Sequence, residues 1–241
     1  MARDPYRLTS TRISGVIERV FAELTPLHRG LRDWWIDSRA DDRQPVAANL
    51  SILRPLMDAV IGSDGSVVGA GVVIAPGLLS DSERCLDWRQ LGPDERPRAL
   101  ILDVDPASED PYDYTDMEWF RVPRDSDRRM AGGPYFDFRG AGRFTMTFAV
   151  PVRIDGTFIG VAGADVPLTA LESELLPLLL ALDTPSSLVS HEDRVVVSSD
   201  PRWATGQRRG STQDEVVSMV VPDLSWRLIT DGSARVMPAE L

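Results

Sequence analysis

Between Arg143 and Val166 two runs rich in β-branched and aromatic residues flank the dipeptide Asp155-Gly156, and nothing else in these 241 residues restricts the fold as strongly. Asp-Gly suits the positive φ angles of a two-residue hairpin turn, so two long antiparallel strands are predicted here. Pro151 lies within the first arm and cannot donate to a hydrogen-bond ladder, which predicts a bulge or a sheet edge. With an unbroken register, pairing Ile154 with Thr157 would set Met146 opposite Asp165.

A hairpin of this length needs a surface to cover it. Ile13, Ile17, Val20, Leu24, Leu27, Leu31 and Trp34 recur at steps of four and three, the apolar stripe of a long amphipathic helix. Pro26 falls inside the stripe and should kink or split it. Such a stripe can pack on the chain's own sheet or join two copies as a homodimer. After a polar link over 37–44, Leu50, Leu53, Leu56, Met57, Val60 and Ile61 predict a second helix ending at Gly62. The period then changes. Val67 to Ile74, with Gly69 and Gly71 among apolar residues, reads as a buried strand, and 85–90 and 100–104 as shorter strands. Beyond the hairpin, 168–182 reads as a helix despite Pro177, 187–199 as a second hairpin turning at His191 to Arg194, and 225–230 as a last strand. Helices first, then an antiparallel meander with a helix inserted, indicate an α+β fold rather than alternating βαβ units. One structural unit is expected, with a helical segment over 1–62 and the sheet-bearing part over 63–241.

Composition narrows the function. All 26 basic residues are Arg, and 37 acidic residues leave a formal charge of -11. That sign argues against direct binding of nucleic acid, where a basic surface supplies most of the affinity. No basic-then-apolar leader opens the sequence, and nowhere do 18 uncharged apolar residues run together, so neither export nor a membrane span is expected. Cys85 is the single cysteine and can form no internal disulfide. A cytoplasmic location is the expectation that follows.

Catalytic chemistry finds little material. The two histidines are His28, inside the first helical stripe, and His191, in a predicted turn; no serine sits in a G-x-S-x-G elbow. One Cys and two His cannot build a zinc site without carboxylates. The acidic run Asp103, Asp105, Glu109, Asp110, Asp113, Asp116 lacks the glycine and closing glutamate of a calcium loop, and no phosphate-cradling motif follows a strand. No metal and no cofactor are expected.

One carboxylate stands apart. Asp165 ends the otherwise uncharged strand Phe158 to Ala164, and an enclosed carboxylate needs hydrogen-bond donors or a cation. It can also cap the helix that begins near Leu168. A second unusual segment, Tyr112-Asp-Tyr-Thr-Asp-Met-Glu-Trp-Phe120 followed by Gly132-Gly-Pro-Tyr-Phe-Asp137, interleaves aromatics and carboxylates. Aromatic faces attract ammonium groups and carboxylates neutralise them, so the two types together suit an amine pocket.

These blocks resemble the Cache (PAS-like) sensor family. The likeness rests on the Tyr-rich approach to Trp119-Phe120, Gly-Pro-Tyr135-x-Asp137, the strand Phe144 to Pro151, and Asp-Gly-Thr-Phe-Ile-Gly-Val-Ala-Gly-Ala-Asp165. It covers roughly residues 66–205. The resemblance implies a long N-terminal helix packed on a PAS-like antiparallel sheet, with a small-molecule ligand held between the sheet and the loops over it. It implies no catalysis. In relatives that bind amino acids, an Arg two residues before the Trp grips the ligand carboxylate, while Tyr-x-Asp and a later Asp hold its ammonium. Here Tyr135, Asp137 and Asp165 match the ammonium half, Met117 stands at the Arg position, and Phe120 replaces a usual Tyr. That combination favours a biogenic amine, polyamine or quaternary ammonium ligand over an amino acid. The implied ligand-binding residues are Tyr112, Trp119, Phe120, Tyr135, Asp137, Thr147 and Asp165.

Most members of the family are extracellular halves of membrane receptors. Without a visible span, signalling through dimerisation or a separate regulatory protein is expected instead. Two rival classes are a hydrolase that uses Asp137 and Asp165 as an acid/base pair, and a scaffold or dimerisation protein in which the helix over 13–34 does the work and the pocket is vestigial.

Overall fold

A computed structural model describes residues 5–40, 43–62, 65–138, 142–210 and 215–231. The first helical stripe becomes α1 (Pro5–Glu23) and α2 (Thr25–Ser38). The break comes at Leu24, ahead of Pro26. Proline is accommodated at the start of α2, where its missing N–H costs no helical hydrogen bond. The second helical stretch begins as a tighter 3-10 turn (Ala47–Leu53) and continues as α3 (Arg54–Gly62). Among the described residues no helix is long and apolar enough to cross a membrane.

The strands are β1 (Gly69–Ile74), β2 (Cys85–Leu91) and β3 (Pro97–Leu100), then, after α4 (Glu118–Ser126), β4 (Met130–Phe136), β5 (Phe144–Ile154) and β6 (Thr157–Pro167). Helix α5 (Leu168–Leu180) leads to β7 (Ser186–Val189), β8 (Val195–Ser198), β9 (Glu215–Val221) and β10 (Trp226–Asp231). A strand over 100–104 does not form. The Asp103 and Asp105 side chains accept hydrogen bonds from the backbone two residues on, at 3.1 and 2.9 Å, and so turn the chain out of the ladder. Sequence periodicity missed α4, β4 and β9. Helix α4 is short and contains Pro123, and its buried face is only Trp119, Phe120 and Pro123.

Instead of one continuous meander, the strands form two sheets. One has the order β3-β2-β1-β6-β5-β4, the other β8-β7-β10-β9. By their contacts the described residues group into two units, one drawn from 20–132 with 136–167, the other from 5–19, 133–135 and 168–231.

In the first unit, central strand β1 is buried along its whole length. One face of the sheet meets the helices: Phe148 of β5 packs edge-on against Phe21 with ring centres 5.2 Å apart, and from β2 Asp87 pairs with Arg54 at 3.4 Å and Arg89 with Asp58. The other face carries Val73, Trp88, Ala149 and Val161, covered by Tyr114, Trp119 and Phe120. Strand alternation assigns these sets to opposite faces. In the second unit α5 packs on β7 and β8. Its edge meets α1 through Tyr6–Thr184, at 3.0 Å, and the Arg19–Glu174 ion pair. The buried Arg209 is held by Glu215 at 2.6 Å and lies over the Trp203 ring.

Candidate functional site

The site begins with missing side chains. Gly71 of β1 stands opposite Trp88 of β2 and opposite Gly163 of β6. A Cβ added at Gly71 would lie 2.6 Å from Trp88 Cε3, and one at Gly163 would lie 3.0 Å from Trp88 Cη2. The two glycines therefore leave a lane in which the indole lies flat across β1, out to β6. There its Nε1 donates to Asp165 Oδ2 at 3.1 Å. Trp88 was not singled out from sequence. The available signal was Gly69-x-Gly71 in a buried strand, which vacates one face for a large neighbour.

Register supplies the second donor. Asp155 and Gly156 adopt φ of 50° and 79°, closing the predicted hairpin with Ile154 opposite Thr157. The ladder then slips by one between Val152 and Arg153, close to Pro151, leaving Ile159 as the extra residue on β6. Gly160 follows the bulge with φ of 155°. A Cβ there would lie 2.0 Å from the Val73 carbonyl oxygen, so only glycine allows β6 to close on β1. The slip puts Thr147, not Met146, opposite Asp165. Residues directly opposite in an antiparallel pair share a face, and Thr147 Oγ1 donates to Asp165 Oδ1 at 2.6 Å.

Asp165 thus has one protein donor on each oxygen. Burial nevertheless dominates, pushing its carboxyl up to about 7; the neighbouring Asp137 carboxylate pushes the same way, while the Thr147 and Trp88 hydrogen bonds partly offset both. The residue keeps some accessible surface, so the carboxyl lies deep but can be reached. It ends no helix: it sits inside β6 and does not cap α5, which starts at Leu168.

Other residues inferred from sequence divide into groups. Thr147 and Asp165 are joined by a hydrogen bond, and Asp137, half-buried just beyond β4, acts on Asp165 through its charge. Trp119 is nearly buried, in the same cluster as Trp88. Phe120 has no accessible surface. It is edge-on to Tyr114, Trp119 and Phe158 at 5.0, 6.2 and 5.5 Å, so it supports the cluster rather than lining a binding surface. Tyr112 is half-buried at the margin of the cluster. The tyrosine that anchors this loop is Tyr114, whose hydroxyl donates to the Ile74 carbonyl at 2.9 Å and accepts from the Cys85 N–H at 3.1 Å. Tyr135, on β4, is partly exposed. Met117 is the residue immediately before α4 and is 40% exposed.

Neither Cys85 nor His28 is poised as a nucleophile. Burial, then the charges of Asp87 and Asp81, push the Cys85 thiol up to about 12. His28 lies on α2 with its pKa lowered chiefly by burial, and its ring hydrogen-bonds the Pro151 backbone. Asp113 is committed to the Thr115 backbone and hydroxyl and to Arg84 at 2.8 Å, which explains part of the acidic run as loop structure.

Residues 95–173 match the family described as the methyl-accepting chemotaxis protein-like, first PDC sensor domain. Methyl-accepting chemotaxis protein PscA of Pseudomonas syringae pv. tomato is 29% identical over 99 residues, 40% of this chain and 16% of that protein. Methyl-accepting chemotaxis protein TlpQ of Pseudomonas aeruginosa is 31% identical over 91 residues, 36% of this chain and 13% of that protein. The chain therefore spans a small part of the curated relatives it matches. Among solved structures, the ligand-binding domain of the Pseudomonas aeruginosa amino acid chemoreceptor PctB, in complex with L-Arg, superposes with a TM-score of 0.57 at 16% identity, covering 98% of this chain and 94% of that one. The sensory domain of the Campylobacter jejuni chemoreceptor Tlp3 gives a TM-score of 0.52 at 11% identity, covering 95% and 96%. The matched segment resembles that sensor-domain family over about a third of the chain, and the likeness to solved sensor domains shows that the fold is of the Cache, or PDC-like, type.

Proposed function

We propose that this domain senses a small organic cation, a biogenic amine, polyamine or quaternary ammonium compound, held between Trp119 and the Asp137–Asp165 pair. The observation that carries this reading is Asp165 itself. It is a deep carboxylate with Trp88 and Thr147 as neutral donors and a second carboxylate, not a cation, as the charge acting on it. A guest ammonium would supply the missing positive charge, and aromatic faces beside it would add cation–π attraction. Met117 at the position where amino-acid binders of this family carry Arg leaves no guanidinium there for a ligand carboxylate. Tyr112 is proposed to border the site, with Trp88 added as the residue that orients Asp165. The bound state is read by dimerisation or by a separate regulatory protein.

Isothermal titration calorimetry at pH 8 tests the assignment with primary amines, polyamines, quaternary ammonium compounds, amino acids, carboxylates and sugars. Saturable binding of amines, weakened at least about tenfold by Asp165→Asn, is the expected outcome. Binding confined to carboxylates or sugars rejects it.

A further inference from the structure

The same carboxylate that would hold the guest is built to hold a proton in its absence. We propose that Asp165, clamped by Trp88 and Thr147 with the Asp137 charge acting on it, is a proton-exchange site: the empty site carries a proton on Asp165, and a cationic guest displaces it to solvent. The proposal rests on the amine reading for the identity of the guest, but the proton site stands on its own geometry.

Elements around Asp165 leave few groups to compete. Strand β1 presents no titratable side chain, and β6 presents none besides Asp165. On β2, Asp87 and Arg89 point to the opposite face from Trp88, toward Arg54 and Asp58. On β5, Arg153 is paired with Asp127 at 2.9 Å, and Arg143 precedes the strand in the segment that leads from Asp137. On α4, Arg121 pairs with Glu118 at 3.5 Å and Arg124 with Asp125 at 2.7 Å. Helix α2 brings His28, Arg29, Arg32, Asp33 and Asp37, on the helical side of the sheet. Of all these, Asp137 is the charge that acts on Asp165.

Burial makes the charged form of Asp165 costly and the Asp137 charge adds to that cost, so Asp165 keeps its proton until a cation arrives. Each oxygen of Asp165 already accepts one hydrogen bond, which leaves one further position per oxygen. The proton takes such a position in the empty state, and an N–H donor or the field of a quaternary ammonium takes over in the bound state. One proton leaves for each cation bound, and charge in the site balances before and after.

Carboxyl-carbon NMR of the ligand-free chain tests this directly. One Asp signal should titrate near neutrality, vanish in Asp165→Asn, move to lower pH in Asp137→Asn and move to higher pH in Thr147→Val. If every Asp signal of the native chain titrates below about pH 5, or if Asp137→Asn leaves the neutral titration in place, the proposal is overturned. Thr147→Val keeps the test decisive should Asp165→Asn fold poorly. A second arm uses putrescine as the probe. Its affinity should fall about tenfold from pH 8 to pH 6, and the heats at pH 6 in two buffers of different ionisation enthalpy should differ by the release of about one proton. Failure of every amine to bind, with the neutral titration intact, removes the amine reading and the displacement step while the proton site survives. Binding that is independent of pH removes the displacement step alone.

Discussion

A tryptophan is usually counted toward the core, yet Trp88 has a polar end that decides what its neighbour can do. Its indole crosses a strand because Gly71 and Gly163 have no side chains, and its N–H meets the one carboxylate on that face. The carboxyl of Asp165 titrates near 3.8 in the unfolded chain and about 7 in the folded one. Below the lower value both states are protonated. Between the two the folded state holds the extra proton, so raising the pH through this window removes stability, and above about 7 the loss is complete. Asparagine stays neutral throughout. The melting temperature of Asp165→Asn, taken relative to the native chain without ligand, should therefore rise by about 5 °C or more between pH 4 and pH 8. A difference that stays constant with pH would contradict the buried titration.

At the level of elements, the bulge on β6 does the selecting. Without the slip beside Pro151, Met146 would face Asp165 and the carboxylate would lose its hydroxyl donor. Gly160 permits the bulged strand to lie against Val73 of β1. Gly160→Ala should thus lower unfolding stability by about 3 kcal/mol, since it combines backbone strain with a clash against a carbonyl that cannot swing away. Urea denaturation followed by circular dichroism measures it; a loss under about 0.5 kcal/mol, the scale of an ordinary surface change, would show that the strands have room to spare. Helix α4 plays the complementary part, presenting Trp119 to the cluster while Phe120 and Pro123 anchor it from below.

For the molecule as a whole, the proposed sensor role requires that occupancy be coupled to something a partner can read. A ligand that binds only the folded state stabilises it by about 2.7 kcal/mol at a hundredfold excess over Kd. An amine present at that excess should raise the melting temperature, and light scattering with and without it should reveal a change in mass if dimerisation is the output. Unchanged mass would point to the separate regulatory protein, which pull-down in the two states would show. A vestigial pocket on a scaffold would leave both melting and mass untouched.

How much was legible beforehand follows the range of the interactions. The Asp155-Gly156 turn, the apolar stripes of α1 to α3 and the seclusion of Asp165 all depend on residues within a few positions of one another, and each is visible in the chain. Family likeness named Thr147 and Asp137 as candidates alongside Asp165 before any coordinates did. The division into two sheets, the one-residue slip that exchanges Met146 for Thr147, the withdrawal of Phe120 into the core and the reach of Trp88 to Asp165 were decided elsewhere. They depend on which strand lies beside which, Trp88 and Asp165 alone being 77 positions apart, and such pairings are settled only when the whole sheet packs at once.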